Sequence, residues 1–202
     1  MKVFFDLDGV LFDFVGTLHK RLNLPFDIKN YPYPYGKYDI FPYISQIHKI
    51  PEKKIFEVMR EEEFWVNLEI NPKGKSLFNK VVNWVGKENV FLLTKPVVGM
   101  PKSFSGKYLL ISKKLEGWTR RLIFTTTSKD IVIANPNYVL IDDSDENIKN
   151  IKEDQFILFP QPWNSRYNEV DLSDDDLFKE LKRLKVSTIK SYLIGKYITK
   201  TS

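Results

Sequence analysis

The sequence predicts an α/β fold: a parallel sheet flanked by helices, with a small, mainly helical cap inserted after the first strand. Three observations carry this. Short apolar runs recur along the chain, stretches with helical spacing separate them, and residues 15–72 break the alternation. Short apolar runs bounded by turn signals suit strands buried on both faces. Strands that alternate with helices build a parallel sheet with helices on its faces.

Val3-Phe4-Phe5 is the first such run, and it ends in a polar cluster. Residues 15–72 contain the turn-rich segment Tyr31-Pro32-Tyr33-Pro34-Tyr35-Gly36. They also contain a helical stretch over 51–63, with Pro51 at its start and Ile55, Val58 and Met59 on one face. This segment is expected to form the cap, leaving residues 1–14 and 73–202 as the α/β core. Leu77, Val81, Val82 and Val85 lie at helical spacing, with Gly86 as a stop. The remaining strands are expected at Val90–Leu93, Arg121–Phe124, Tyr138–Ile141 and Phe156–Phe159. From Asp174 an amphipathic basic helix is expected through Leu177, Leu181 and Leu184, with Ser173 as its N-cap.

Composition narrows the function classes. The chain has 202 residues, of which 43% are hydrophobic and 28% charged, the profile of a globular protein. No apolar run reaches the roughly 18 residues of a membrane span, so no membrane partner is expected. Asp6 and Asp8 interrupt the opening apolar run, so no signal peptide is expected either. With no cysteine, disulfides, thiolate metal sites and cysteine nucleophiles are all excluded, which fits a cytoplasmic setting. The net charge of +5 favours anionic ligands, with phosphorylated metabolites and nucleic acid as the two candidates.

In parallel sheets of this kind, ligands bind beyond the carboxyl ends of the strands. The polar residues that follow the apolar runs therefore converge on one edge: Asp6 and Asp8, Thr94, Thr125 to Lys129, then Asp142 and Asp143. A like-charge pair at about 4 Å costs around 4 kcal/mol at an effective dielectric near 20. A hard divalent cation offsets that repulsion, and an all-oxygen site suits Mg²⁺. The same set suits phosphoryl transfer. One carboxylate attacks phosphorus, a second carboxyl group moves the proton, and positive groups hold the phosphoryl oxygens. Lys129 and Thr94 are placed to contact that phosphate, with Lys107, Lys113 and Lys114 as competitors for the lysine's role.

Asp6-Leu7-Asp8-Gly9-Val10, Thr94, Lys129 and Asp142-Asp143 together resemble the four motifs of the haloacid dehalogenase superfamily, in order. The resemblance implies a Rossmann-like core with Asp6 as nucleophile and Asp8 as general acid and base. It also implies Mg²⁺ held by Asp6, the Asp8 carbonyl and Asp142, with Asp143 as a further ligand or just outside. Residues 6–14 (DLDGVLFDF) and Phe64-Trp65-Val66-Asn67-Leu68-Glu69 resemble the 5′(3′)-deoxyribonucleotidase family more closely, as do 91–96 and 121–143. That implies a nucleoside monophosphate substrate, with Phe12, Phe14, Phe64 and Trp65 around the base. Lys95 departs from the family pattern, which has a small residue there. It is expected to contact the phosphate or narrow the pocket.

Two alternatives stay open: another small phosphate ester or a polynucleotide end as substrate, and a non-catalytic nucleic-acid-binding domain. The second leaves the carboxylate set without a purpose, so nucleic acid is the weaker expectation. A homodimer stays open. Gly74-Lys75-Ser76 lacks the preceding strand and the earlier glycine of a phosphate-binding loop and is expected to be a loop and helix start. His19 and His48 lack metal-ligand spacing and are expected at the surface.

Overall fold

A computed structural model describes residues 1–184. Five strands form one fully parallel sheet: β1 (Lys2–Phe5), β4 (Val90–Thr94), β5 (Leu122–Phe124), β6 (Tyr138–Asp142) and β7 (Phe156–Leu158). Two shorter strands, β2 (Phe12–Asp13) and β3 (Glu69–Ile70), pair with each other apart from it. The sheet order is β5-β4-β1-β6-β7, so β1 lies at the centre, with Phe5 opposite Leu92 on one side and Ile141 on the other. The chain thus reverses direction across the sheet at β1, where doubly wound folds open a crevice at the strands' carboxyl ends.

Strand alternation divides the core between the two faces. Val3 and Phe5 face a large cluster containing Leu77, Phe78, Val81, Leu110, Ile111, Leu177 and Leu181. These come from α5 (Pro72–Val85), α6 (Pro101–Lys114) and a C-terminal helix, α8, over residues 174–184. Phe4 faces the other way, into a smaller cluster with Leu93, Ile133, Leu140, Ile148 and Leu158. It is covered by α7 (Asp145–Ile148) and the turn at Lys129–Ile131. Ser173 caps α8 as expected: its hydroxyl accepts from Asp176 N, while its own N–H donates to the Asp176 carboxylate. Any continuation of that helix past 184 lies outside the described residues.

The chain leaves the sheet through β2 and returns through β3, with Phe12 opposite Ile70 and Asp13 opposite Glu69. Between them lie α1 (Phe14–Arg21), α2 (Phe41–His48), α3 (Glu52–Met59) and α4 (Glu62–Val66). The single helix expected over 51–63 is broken at Arg60 and Glu61, where Glu61 is extended. The break turns Trp65 back so that its indole N–H donates to the Met59 carbonyl at 2.7 Å, at the end of α3. His19, expected at the surface, is fully buried. Its Nδ1 bonds the Val15 carbonyl and its Nε2 the Tyr33 hydroxyl, which also meets the half-buried His48. Gly74-Lys75-Ser76 lies inside α5, so no phosphate-binding loop is formed there.

Gly74 lets α5 press onto the loop that follows β1. A Cβ there would stand 1.8 Å from the Val10 carbonyl oxygen, a backbone atom with little freedom to yield. Gly74→Ala is expected to lower stability by about 1–3 kcal/mol through overpacking, despite the small gain in helix propensity. A reduced urea midpoint with unchanged slope would register the loss, and an unchanged midpoint would refute the close approach.

Candidate active site

The carboxyl ends of β1, β4 and β6 bring the predicted polar residues together. Asp6 follows β1 directly, and its N–H donates to the Ile141 carbonyl of the neighbouring strand at 2.9 Å. The next residues coil into a tight turn, in which Leu11 N and Phe12 N both donate to Leu7 O. Gly9 makes the turn possible. Its φ is +73°, a region disfavoured for residues with a Cβ, and a Cβ there would lie 2.0 Å from Asp143 Oδ2. Asp143 therefore packs directly against the turn.

Asp6, Asp142 and Asp143 are all buried, and each offers an oxygen within 4.8 Å of the others. Lys129, buried after β5, bridges two of them, at 2.8 Å from Asp6 Oδ1 and 2.6 Å from Asp142 Oδ2. Asp142 Oδ1 accepts from Ser144 N and Asn147 Nδ2, both at 3.0 Å. Trp163 Nε1 donates to Asp143 Oδ2 at 2.7 Å. Asp143 Oδ1 and Asp8 Oδ1 are buried without a hydrogen-bond partner among the described residues.

Ionised, the three carboxylates and the one ammonium leave two uncompensated negative charges in a buried site. The protonation behaviour follows from that. Burial pushes the Asp6 carboxyl up to about 7; Lys129 opposes the rise, and Asp142 and Asp8 add to it. Asp143 is also raised, by burial first and then by Asp142 and Asp6. Burial acts to lower Lys129, but the Asp142 and Asp6 carboxylates outweigh it and hold the ammonium charged. Both shifts run toward the protonated form, which relieves part of the unpaired charge. A divalent cation carries the charge the cluster lacks, and hard oxygen donors with an orphaned buried oxygen suit such an ion.

Thr94 ends β4 and is buried, and beside it lies a second lysine that the sequence offered only as a competitor. Lys107, fully buried on α6, donates to Asp8 Oδ2 (2.5 Å), Thr94 Oγ1 (3.1 Å) and the Lys95 carbonyl (2.7 Å). Because Lys107 fills an acceptor position on Thr94, the threonine hydroxyl hydrogen stays available to a ligand. Lys113 is exposed, and Lys114 is bound to the Leu68 carbonyl. Lys95 donates to Asn147 Oδ1 at 2.9 Å.

Next to the carboxylates opens a cavity of about 390 Å³. Phe14, Phe41, Trp65 and Trp163 give it aromatic walls, and Asp8, Lys95 and Asp143 stand among its lining residues. Phe14 and Trp65 stack at 5.7 Å. Phe12 and Phe64, which the sequence grouped with them, are enclosed in the core and do not line the cavity. Phe64 backs the other two, edge-on at 5.6 Å to Phe14 and 5.0 Å to Trp65.

The sequence reading also passed over the segment after β7. Gln161 donates to the Gly9 carbonyl, and Asn164 donates to the carbonyls of Asp143 and Phe159. The signal was present, since these polar residues follow an apolar strand run just as Asp6 and Asp142 do.

Among known proteins, the family model described as 5′ nucleotidase, deoxy (Pyrimidine), cytosolic type C protein matches residues 1–184. No curated protein compared with the chain matches it.

The cluster gives a sign for pH dependence. The folded value of Asp6, about 7, lies above its ordinary 3.8, so the folded state holds the proton more tightly. The resulting stabilisation is full below 3.8 and is lost as pH rises through 7. In chelator-treated protein, the urea midpoint of the wild type is expected to fall more steeply across that window than that of Asp6→Asn. Parallel slopes would show that Asp6 is not the group taking up the proton.

Proposed function

Because the chain belongs to this cytosolic 5′-nucleotidase family of the haloacid dehalogenase superfamily, we propose that it is a Mg²⁺-dependent phosphomonoesterase of nucleoside monophosphates. One observation carries the reading: the buried cluster of Asp6, Asp142, Asp143 and Lys129 adjoins an aromatic cavity of nucleoside size, which Asp143 and Asp8 line. Asp6, the Asp8 carbonyl, Asp142 and Asp143 would hold the Mg²⁺. When bound, the ion supplies positive charge to the phosphoryl oxygens and lowers the repulsion between phosphate and carboxylates.

The residues divide the work. Asp6 attacks phosphorus and takes the phosphoryl group, forming an aspartyl-phosphate, while the nucleoside oxygen leaves. Asp8 gives that oxygen its proton, then removes one from the water that hydrolyses the aspartyl-phosphate. Its Oδ1 is free to carry the proton while Lys107 fixes its Oδ2. Lys129 and the Thr94 hydroxyl hold phosphoryl oxygens, with Lys95 at the rim. Phe14 and Trp65 take the base, and Phe64 supports them from within the core, where Phe12 is also enclosed. Residues 15–72 act as the cap that encloses the nucleoside. The family's description supports a cytosolic setting, as does the absence of cysteine.

Purified protein with Mg²⁺ is expected to release phosphate from dUMP or dTMP faster than from ribose 5-phosphate, and not after chelation. Asp6→Asn is expected to abolish turnover. Preference for the base-free ester would overturn the nucleotidase reading, and full activity in Asp6→Asn would remove Asp6 as nucleophile.

Stacking a base on an aromatic ring contributes about 1–3 kcal/mol, so Phe14→Ala is expected to raise KM for dUMP by about 5- to 150-fold. KM for ribose 5-phosphate should move far less. Equal shifts for both esters would place Phe14 outside the base site.

A further inference from the structure

Trp163 meets three parts of the molecule at once. Its indole N–H donates to Asp143 Oδ2 at 2.7 Å. Its ring lines the aromatic cavity. The same ring lies 6.3 Å from that of Tyr31, on the far side of the β2–β3 stem. The side chain is 4% exposed and its backbone is fastened on both sides. Asn164 Nδ2 donates to Asp143 O at 2.9 Å and Phe159 O at 2.8 Å. Pro162 O accepts from Gly36 N at 2.9 Å, and Gln161 holds the Gly9 carbonyl.

The consequence lies at Asp143. A carboxylate turns about its Cβ–Cγ bond unless one oxygen is fixed. Here the indole N–H fixes Oδ2, and Oδ1 stays buried with no partner among the described residues. Asp143 is also one of the three carboxylates that converge within 4.8 Å. Gly9, which lacks a Cβ, leaves the space Oδ2 occupies.

We propose that Trp163 is a positioning residue for the ion site: its N–H orients Asp143 so that Oδ1 is the oxygen presented to the cation. This rests on the metal-dependent reading given above. The indole also forms the cavity wall, so one rigid side chain sets the geometry of the ion site and of the nucleoside site. Hydrogen-bond partners of metal ligands commonly govern metal affinity by 10- to 100-fold.

The test is Mg²⁺ binding by calorimetry to the full chain without nucleotide. Trp163→Phe keeps an aromatic wall and removes the donor. Replacement of Trp163 by benzothienylalanine keeps the bicyclic shape and removes only the N–H, which covers the case in which Phe disturbs folding. Both variants are expected to raise the Mg²⁺ Kd by about 10- to 100-fold. In the benzothienylalanine protein, where the bicyclic wall is kept, KM for dUMP at saturating Mg²⁺ should shift by much less; a merely structural role would not separate the two quantities. If the wild type binds Mg²⁺ and the benzothienylalanine protein binds it equally well, the role of Trp163 is overturned. If the wild type binds no divalent cation, the metal-dependent reading itself falls, and this inference with it.

Discussion

The site depends on one electrostatic constraint: three carboxylates buried together against a single ammonium. Asp6, Asp142 and Asp143 come from two different strand ends, and Lys129 neutralises only part of their charge. Buried charge of this kind is costly unless it is paired. The protein meets the demand in two ways. It satisfies both oxygens of Asp142 and one of Asp143 with donors, and burial raises the Asp6 and Asp143 carboxyls toward their neutral form.

A second ion pair, Lys107 with Asp8, sits beside the first and is kept distinct from it. Asp8 thus has a cation of its own, although its charge still bears on Asp6. Lys107 also contacts Thr94 and lies 5.0 Å from the Trp65 ring, so Asp8, Thr94 and the cavity wall share one support on α6.

Packing links these parts rather than stacking separate domains. The large apolar cluster runs without a break from Val3 and Phe5 in the sheet to Ile44, Ile55 and Trp65 beyond the β2–β3 stem. The aromatic cavity lies within that continuity, at the same edge as the carboxylates. Burial of the neighbouring carboxylates strengthens the charge contacts among them.

The sequence by itself determined the α/β architecture, the order of the strands along the chain and the convergence of Asp6, Asp8, Thr94, Lys129 and Asp142. Short apolar runs ending in polar residues are a local signal, and strand ends at one sheet edge must meet. Tertiary structure alone decided which side chain pairs with which. Lys107 and Lys129 are both lysines near motif residues, and only the placement of α6 and of the turn after β5 assigns one to Asp8 and the other to Asp6 and Asp142. Nothing in the local sequence separates Phe12 and Phe64 from Phe14 and Trp65, but packing leaves only Phe14 and Trp65 on the cavity lining, although Trp65 is as deeply buried as Phe12 and Phe64. Such assignments depend on the direction of a side chain after long-range packing, which neighbouring residues along the chain do not encode.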